Sequence, residues 1–135
     1  MKSFLYSCIV FLLLLNGVGA IYGGLQLMSS PDGSSLLMPV EYLQYSPFDN
    51  YFVPGLVLFA ANGLGSFAVL LFIVFGYRKD ALLVIAQGAV LCGWIGIQIA
   101  MMRMTYFLHF AMGATGLALI ICGIALSRIR KKVQP

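Results

Sequence analysis

Apolar residues are grouped along this chain into four long segments that contain no charged side chain. Each segment is long enough for a helix to cross a hydrocarbon layer of ~30 Å, which takes ~20 residues. Apolar and polar residues do not alternate with a period of two, which disfavours a transmembrane barrel. Backbone groups in lipid must then bond within their own segment, as they do in a helix. The pattern predicts four transmembrane helices, at about residues 4–27, 51–76, 81–102 and 105–127.

The connections predict how these helices are arranged. Helices two and three are joined by a turn around Arg78 and Lys79, and helices three and four by a turn around Arg103. Such short connections favour antiparallel neighbours. The predicted fold is therefore all-α, a membrane-spanning up-down-up-down four-helix bundle. We expect a single integral membrane domain over residues 1–135, with a cytoplasmic tail at 128–135.

The longer connection, residues 28–50, carries structural signals of its own. Pro31, Asp32 and Gly33 form a turn signal, because proline fixes φ and glycine accepts a positive φ. Pro39 can open a short helix, and the apolar side chains around it make that helix amphipathic. We therefore expect an ordered external loop that folds back over the bundle between helices one and two.

Composition and charge restrict the class of protein. The chain is 61% hydrophobic and 9% charged, with a mean hydropathy of +0.99. A soluble domain has about 25% charged residues, so a soluble enzyme, a nucleic-acid-binding module and a disordered tail are excluded. Every lysine and arginine except Arg103 falls at the end of the predicted bundle that holds both termini. The positive-inside rule places that end, and so both termini, in the cytoplasm.

The first apolar segment has a second interpretation. Lys2, the apolar run and the small residues Val18, Gly19 and Ala20 resemble a secretory signal peptide with its cleavage site. The apolar run nevertheless continues to about Leu27, which is longer than the usual apolar region of a signal peptide. This length favours an uncleaved first helix.

Polar residues are concentrated at the outer end of the predicted bundle, where they make the densest polar cluster that the sequence can build. Polar side chains within spans are costly against lipid and are expected to face the interior or the mouth of the bundle. We expect this loop-end polar cluster to be a structural network, with a ligand or ion site as the alternative. Its members are Asp32, Glu41, Asp49, Gln98, Arg103 and His109.

Two further features concern helix packing. Asn16 and Asn62 lie deeper in their helices, and we expect an interhelical hydrogen bond between them. Small residues recur at a spacing of four in every helix, which lets helix backbones approach closely. We expect these pairs to pack within the bundle, and a homodimer face is the alternative. The pairs are Gly19/Gly23, Ala61/Gly65, Ala89/Gly93, Gly96/Ala100 and Ala114/Ala118.

The sequence predicts no catalytic residue, metal site or cofactor. His109 is the sole histidine, and Cys8, Cys92 and Cys122 are isolated, without a C-x-x-C pair. The absence of that pair disfavours quinone-linked thiol oxidation of the vitamin K epoxide reductase kind. The predicted spans contain no carboxylate, which disfavours a proton-coupled small multidrug antiporter. We therefore expect a protein that is not an enzyme.

Motifs around the loop carry a resemblance. They run from Gly23-Gly24 and Leu27-Met28 through Pro31-Asp32-Gly33-Ser34, Met38-Pro39 and Ser46-Pro47-Phe48 to Tyr51 and Pro54-Gly55, and Gly93-Trp94 with Gln98 adds to them. The pattern, which covers about the first two thirds of the chain, resembles a family of small bacterial four-helix integral membrane proteins to which no activity is assigned. The resemblance implies a multi-pass protein of the bacterial inner membrane whose distinctive part is the external loop. It implies no catalytic residue.

These observations favour one function and leave a second open. The first is an accessory or scaffold subunit, or a homo-oligomer, that acts through helix packing. Its partners are the lipid bilayer and either a second copy or a larger membrane complex, with no nucleic acid. The alternative is a binder or transporter of a small or lipid-like molecule through an outer-face pocket.

Overall fold

The computed structural model describes residues 2–34, 40–102 and 107–133, and the described chain is all-helical, without strands. Four long helices are each apolar and long enough to cross a membrane, as the sequence predicts. A short 3-10 helix, Val40–Leu43, lies in the loop between the first two. The long helices are α1 (Lys2–Ser29), α2 (Phe52–Val74), α3 (Asp80–Met102) and α4 (Phe107–Val133). The predicted four-helix membrane bundle is confirmed.

Helix α4 extends further than predicted. It continues through Val133, beyond the expected end at Ser127, so residues 128–133 of the predicted tail are helical. No glycine or proline interrupts this stretch. Its arginines and lysines are good helix formers, and they lie where the negative end of the helix dipole favours cations.

Helix α2 is ended by a glycine motif at Gly76. Gly76 has a φ of 73°, which glycine adopts without steric cost. The Tyr77 N–H donates to the Phe72 carbonyl at 2.9 Å, and the Gly76 N–H donates to Ile73 at 3.1 Å. These two bonds form a Schellman cap, which stops α2 at Val74, before the predicted end at residue 76.

Within α2, residues Leu58–Leu64 form a π-helical segment. Such a segment holds one extra residue per turn, and its hydrogen bonds run from residue i to i+5. Pro54 lies in the first turn of α2, where its missing N–H is tolerated. The Asn50 side-chain oxygen accepts a hydrogen bond from the Phe52 N–H at 2.9 Å. The helix therefore begins with α-helical geometry and departs from it only near its middle.

Glycines set the distance between helices in two antiparallel pairs. A Cβ on Gly24 of α1 would lie 2.8 Å from the Gly55 carbonyl oxygen of α2. A Cβ on Gly88 of α3 would lie 2.7 Å from the Gly116 carbonyl oxygen of α4. Both distances are shorter than real side chains adopt, so the backbones of α1 and α2, and of α3 and α4, touch directly.

The core consists of apolar clusters at different heights in the bundle. Near the end that holds both termini, Ile9 and Leu13 of α1 pack with apolar residues of the other three helices. At the opposite end, Leu27, Leu43 and Tyr51 form a second cluster, in which the 3-10 helix is fixed against α1. A third cluster, of Leu91, Trp94 and Ile95, belongs to α3.

The described part of the loop between α1 and α2 folds back on the bundle, as expected. Leu43 and Tyr51 are 3% and 2% exposed. The Tyr51 N–H donates to the Pro31 carbonyl at 2.8 Å and thereby joins the two ends of the loop. Residues 35–39, with the predicted helix start at Pro39, lie outside the described residues.

Candidate functional site

At the end of the bundle that holds both termini, Tyr6, Asp80 and Arg130 meet. We call these three residues the basic-end triad. Asp80, the first residue of α3, is 1% exposed and forms an ion pair with Arg130 near the end of α4. A second Arg130 nitrogen, Nη2, donates to Asp80 Oδ2 at 3.1 Å, so the pair is bidentate. A bidentate guanidinium–carboxylate pair is both strong and directional.

Tyr6 joins α1 to this pair. Its hydroxyl donates to Asp80 Oδ2 at 2.8 Å and accepts a hydrogen bond from Arg130 Nη2. The Arg130 Cζ atom also lies 5.9 Å from the centre of the Tyr6 ring. Arg130 Nη1 donates further to the Arg78 carbonyl at 3.1 Å. The triad therefore ties α1, α3 and α4 together at one end of the bundle.

The sequence does not predict this triad. Asp80 falls at the edge of the predicted turn around Arg78 and Lys79, and Arg130 falls in the predicted tail at 128–135. The available signal was that Asp80 is the sole acid at an end with many cations. Because α4 continues through Val133, Arg130 lies on a helix that can reach Asp80.

The loop-end polar cluster is only partly assembled by the described residues. Asp32, Glu41 and Asp49 are exposed, Gln98 is half-buried, and His109 is 5% exposed near the start of α4. Arg103 lies outside the described residues. The cluster thus has a buried histidine, while its three described carboxylates face solvent.

Local contacts explain the electrostatics of the loop. The Ser34 N–H donates to Asp32 Oδ1 at 3.0 Å, and this bond lowers the pKa of Asp32 below its ordinary value. Burial, with the nearby Tyr42 and Glu41 adding to it, raises the pKa of Tyr51 to about 12. The Asp32 carboxylate therefore stabilises the turn that contains it. Tyr51 is held as a neutral phenol in the apolar cluster with Leu27 and Leu43.

Near the middle of the bundle, Asn16, Asn62, Ser66 and Gln87 are buried. We call these four residues the mid-bundle polar layer. The expected bond between Asn16 and Asn62 is not formed: Asn16 Nδ2 donates instead to Ser66 Oγ at 2.9 Å. Gln87 Nε2 donates to the Ala61 carbonyl, inside the π-helical segment, at 3.2 Å. The side-chain atoms of Asn62 have no hydrogen-bond partner among the described residues.

One face of α3 is both exposed and built from small residues. We call this set the α3 small face. A Cβ on Gly93 or Gly96 would meet nothing within 4 Å, and Gly19 of α1 is equally open. The expectation of packing within the bundle is therefore wrong for Gly19, Gly93 and Gly96. Gly23 does meet α2, since a Cβ there would lie 3.4 Å from the Leu58 side chain. The members of the α3 small face are Ala86, Ala89, Gly93, Gly96 and Ala100.

The described residues offer no group of three histidine, cysteine or acidic side chains that could hold a metal ion. Cys8, Cys92 and Cys122 are free and half-buried. Comparison of the chain with protein-family models, with curated proteins and with solved structures finds no match in any of the three.

Proposed function

We propose that this membrane protein acts through helix packing, as a homo-oligomer assembled on the α3 small face. The observation that carries the proposal is the spacing of that face. Its members follow one another at intervals of three, four, three and four residues, and all are exposed. This heptad-like spacing keeps a continuous stripe on one side of a helix.

Small residues at a membrane helix surface permit close approach of a second backbone, which gains van der Waals contact. The same chain uses glycines in this way inside the bundle, at Gly88 and Gly116. Many other exposed positions carry bulky side chains that suit lipid, such as Phe11, Leu71 and Ile121, and on α3 itself Val90 and Ile97 flank the small face. The α3 small face is therefore distinguished from the lipid-facing surface by shape rather than by polarity.

A second copy is the partner that this face fits best. Its spacing is the same in both copies, so two such faces can interdigitate about a two-fold axis. A larger complex with a different membrane protein is the competing outcome of the experiment that follows.

Native mass spectrometry of the protein in lipid nanodiscs tests the proposal. The wild type is expected to give a dimer, and Gly93→Ile to give mostly monomer, because the branched side chain holds the backbones apart. Gly19→Ile is the matched control, since Gly19 is an open glycine on a different helix. It should leave the dimer intact.

A wild-type protein that is monomeric at every protein-to-lipid ratio would contradict the proposal. Equal loss of dimer in the two variants would contradict the choice of α3. A complex with a different membrane protein that depends on Gly93 would replace the second copy by that partner.

The alternative function, binding or transport of a small or lipid-like molecule at the loop end, has less support. It draws on the burial of His109, but Asp32, Glu41 and Asp49 face solvent instead of a shared pocket. Addition of a lipid extract would distinguish the two functions, because a ligand site predicts that the extract stabilises the wild type more than His109→Ala.

The proposal includes a location, the bacterial inner membrane, with both termini in the cytoplasm. The origin rests on the family resemblance of the loop motifs. The orientation rests on the positive-inside rule, because Lys2, Arg78, Lys79, Arg128 and Arg130 share the triad end of the bundle.

A further inference from the structure

The mid-bundle polar layer contains hydrogen-bonding atoms that no described residue satisfies. Asn62 is 0% exposed, and neither its Nδ2 nor its Oδ1 has a partner among the described residues. Asn16 is also 0% exposed, and its Oδ1 is likewise without a partner. Amide atoms buried in an apolar surrounding without a hydrogen-bond partner lose the bonds that they make to water in the unfolded chain, so they destabilise the fold.

These atoms face a common region of the bundle. Asn16 donates to Ser66, and Ser66 lies four residues after Asn62 on α2. Residues at this spacing are neighbours on a helix face, with Cβ atoms about 5–6 Å apart. Asn16 therefore contacts α2 at a position one helical turn from Asn62.

The π-helical segment of α2 adds backbone polarity to the same region. It ends at Leu64, and it contains Asn62 and the Ala61 carbonyl that accepts from Gln87. Wide turns of this kind offset helical carbonyls and occur often at functional positions. In membrane helices, ordered water is among the groups that satisfy backbone atoms freed by such irregularities.

We propose that the mid-bundle polar layer is an internal binding site for ordered water, held between Asn16 and Asn62 inside the membrane. The Oδ1 atoms of Asn16 and Asn62 are open acceptors, and Asn62 Nδ2 is an open donor. Water can both donate and accept hydrogen bonds, so it suits all three atoms. A buried water makes about three hydrogen bonds, which matches this set. The four residues of the layer are uncharged, so an ion bound there would lack compensation for its charge. The inference is independent of the proposed oligomer.

Asparagine-selective isotope labelling can test this site directly. The chain has asparagine at positions 16, 50 and 62 only and a single tryptophan, so ¹⁵N-asparagine with ¹⁵N-tryptophan gives three side-chain amides and one indole. Solid-state NMR with magnetisation transfer from water would be recorded in bilayers of lipid with deuterated chains. Asn50 is exposed and reports bulk water, whereas the buried indole of Trp94 sets the background. Asn50→Ser identifies the exposed signal without a change in the core.

We expect the side-chain amides of Asn16 and Asn62 to show water cross-peaks stronger than that of the Trp94 indole. We expect Asn62→Leu to reduce the Asn16 cross-peak to that background, because the two side chains share the water. Either buried amide at background level in the wild type would overturn the proposal, as would an unchanged Asn16 cross-peak in Asn62→Leu. If that variant does not fold, the wild-type spectrum alone decides between the two outcomes.

Discussion

At the scale of single residues, Asp80 and Arg130 form an ion pair in which the acid is buried. The Asp80 side chain is 1% exposed and that of Arg130 is 24% exposed. The burial of the acid matters more than the attraction itself, because removing one partner leaves an uncompensated charge. Tyr6 shares the carboxylate and so couples α1 to the pair.

We predict that Arg130→Gln lowers the free energy of unfolding by roughly 3 kcal/mol, the low end of the range for breaking a buried pair, since Arg130 retains access to water. Arg128→Gln, at an exposed position two residues earlier, is the matched control and should change stability little. Denaturant unfolding in detergent micelles measures both. The double variant Asp80→Asn/Arg130→Gln should recover part of the loss, and equal effects of the two single arginine variants would refute a role for the pair.

The Tyr51 phenol predicts a pH dependence at the loop end. Its pKa is raised from 10.0 to about 12, so the folded loop favours the neutral form. This contribution to stability is complete below pH 10 and is lost as the pH rises through 12. Thermal unfolding measured along this pH range should therefore decline less in Tyr51→Phe than in the wild type. Parallel curves for the two proteins would show that Tyr51 does not contribute.

At the scale of helices, glycines have two opposite environments. Gly88 is in contact with the Gly116 backbone, whereas Gly93, on the same helix, is open. Gly93 belongs to one of the predicted small-residue pairs, whereas neither Gly88 nor Gly116 does. Spacing alone does not reveal which face of a helix meets a neighbour, so these internal contacts could not be predicted from it.

Gly88→Ala is expected to destabilise the protein by about 1–3 kcal/mol, because its Cβ would lie 2.7 Å from a backbone oxygen that cannot move alone. Gly19→Ala is the matched control, because Gly19 lies outside the α3 small face. Its Cβ meets no atom within 4 Å and alanine is a better helix former than glycine, so the variant should be neutral or stabilising. Thermal unfolding of both variants in one detergent provides the comparison, and a larger loss in Gly19→Ala would be inconsistent with the described packing.

The π-helical segment makes a different prediction for α2. A π turn accommodates one residue more than an α-helical turn while leaving the flanking faces in register. Deletion of Ala60, an exposed residue within the segment, should therefore convert it to α-helix and preserve folding. Deletion of Ala68, exposed but in regular helix, should rotate Val69 out of the core and reduce folded yield. Size-exclusion chromatography compares the two, and similar yields would argue against the π geometry.

At the scale of the whole molecule, the sequence predicts the helices better than it predicts the contacts. The lengths of the apolar segments are enough to predict the four spans, because a segment that crosses lipid has few alternatives to a helix. The Asp80–Arg130 pair joins residues 50 positions apart, and no local pattern encodes that distance. The mid-bundle bond from Asn16 to Ser66 instead of Asn62 likewise depends on helix rotation, which the polar residues alone do not specify.

The four spans predict that both termini lie on one side of the membrane. With the basic end in the cytoplasm, a fluorescent protein that matures only there should fluoresce when fused to the C-terminus. A periplasmic phosphatase fused after residue 50 should be active. The reverse pattern, a dark C-terminal fusion and an inactive loop fusion, would invert the proposed orientation.

The position of Arg130 also determines when the bundle can be completed during synthesis. Asp80 emerges from the ribosome 50 residues before its partner, and Tyr6 emerges earlier still. Three helices can enter the membrane before the carboxylate acquires its counter-charge. Insertion of α4 therefore completes the bundle, because Arg130 then bonds to Tyr6 and Asp80 and joins α1 and α3 at the same end.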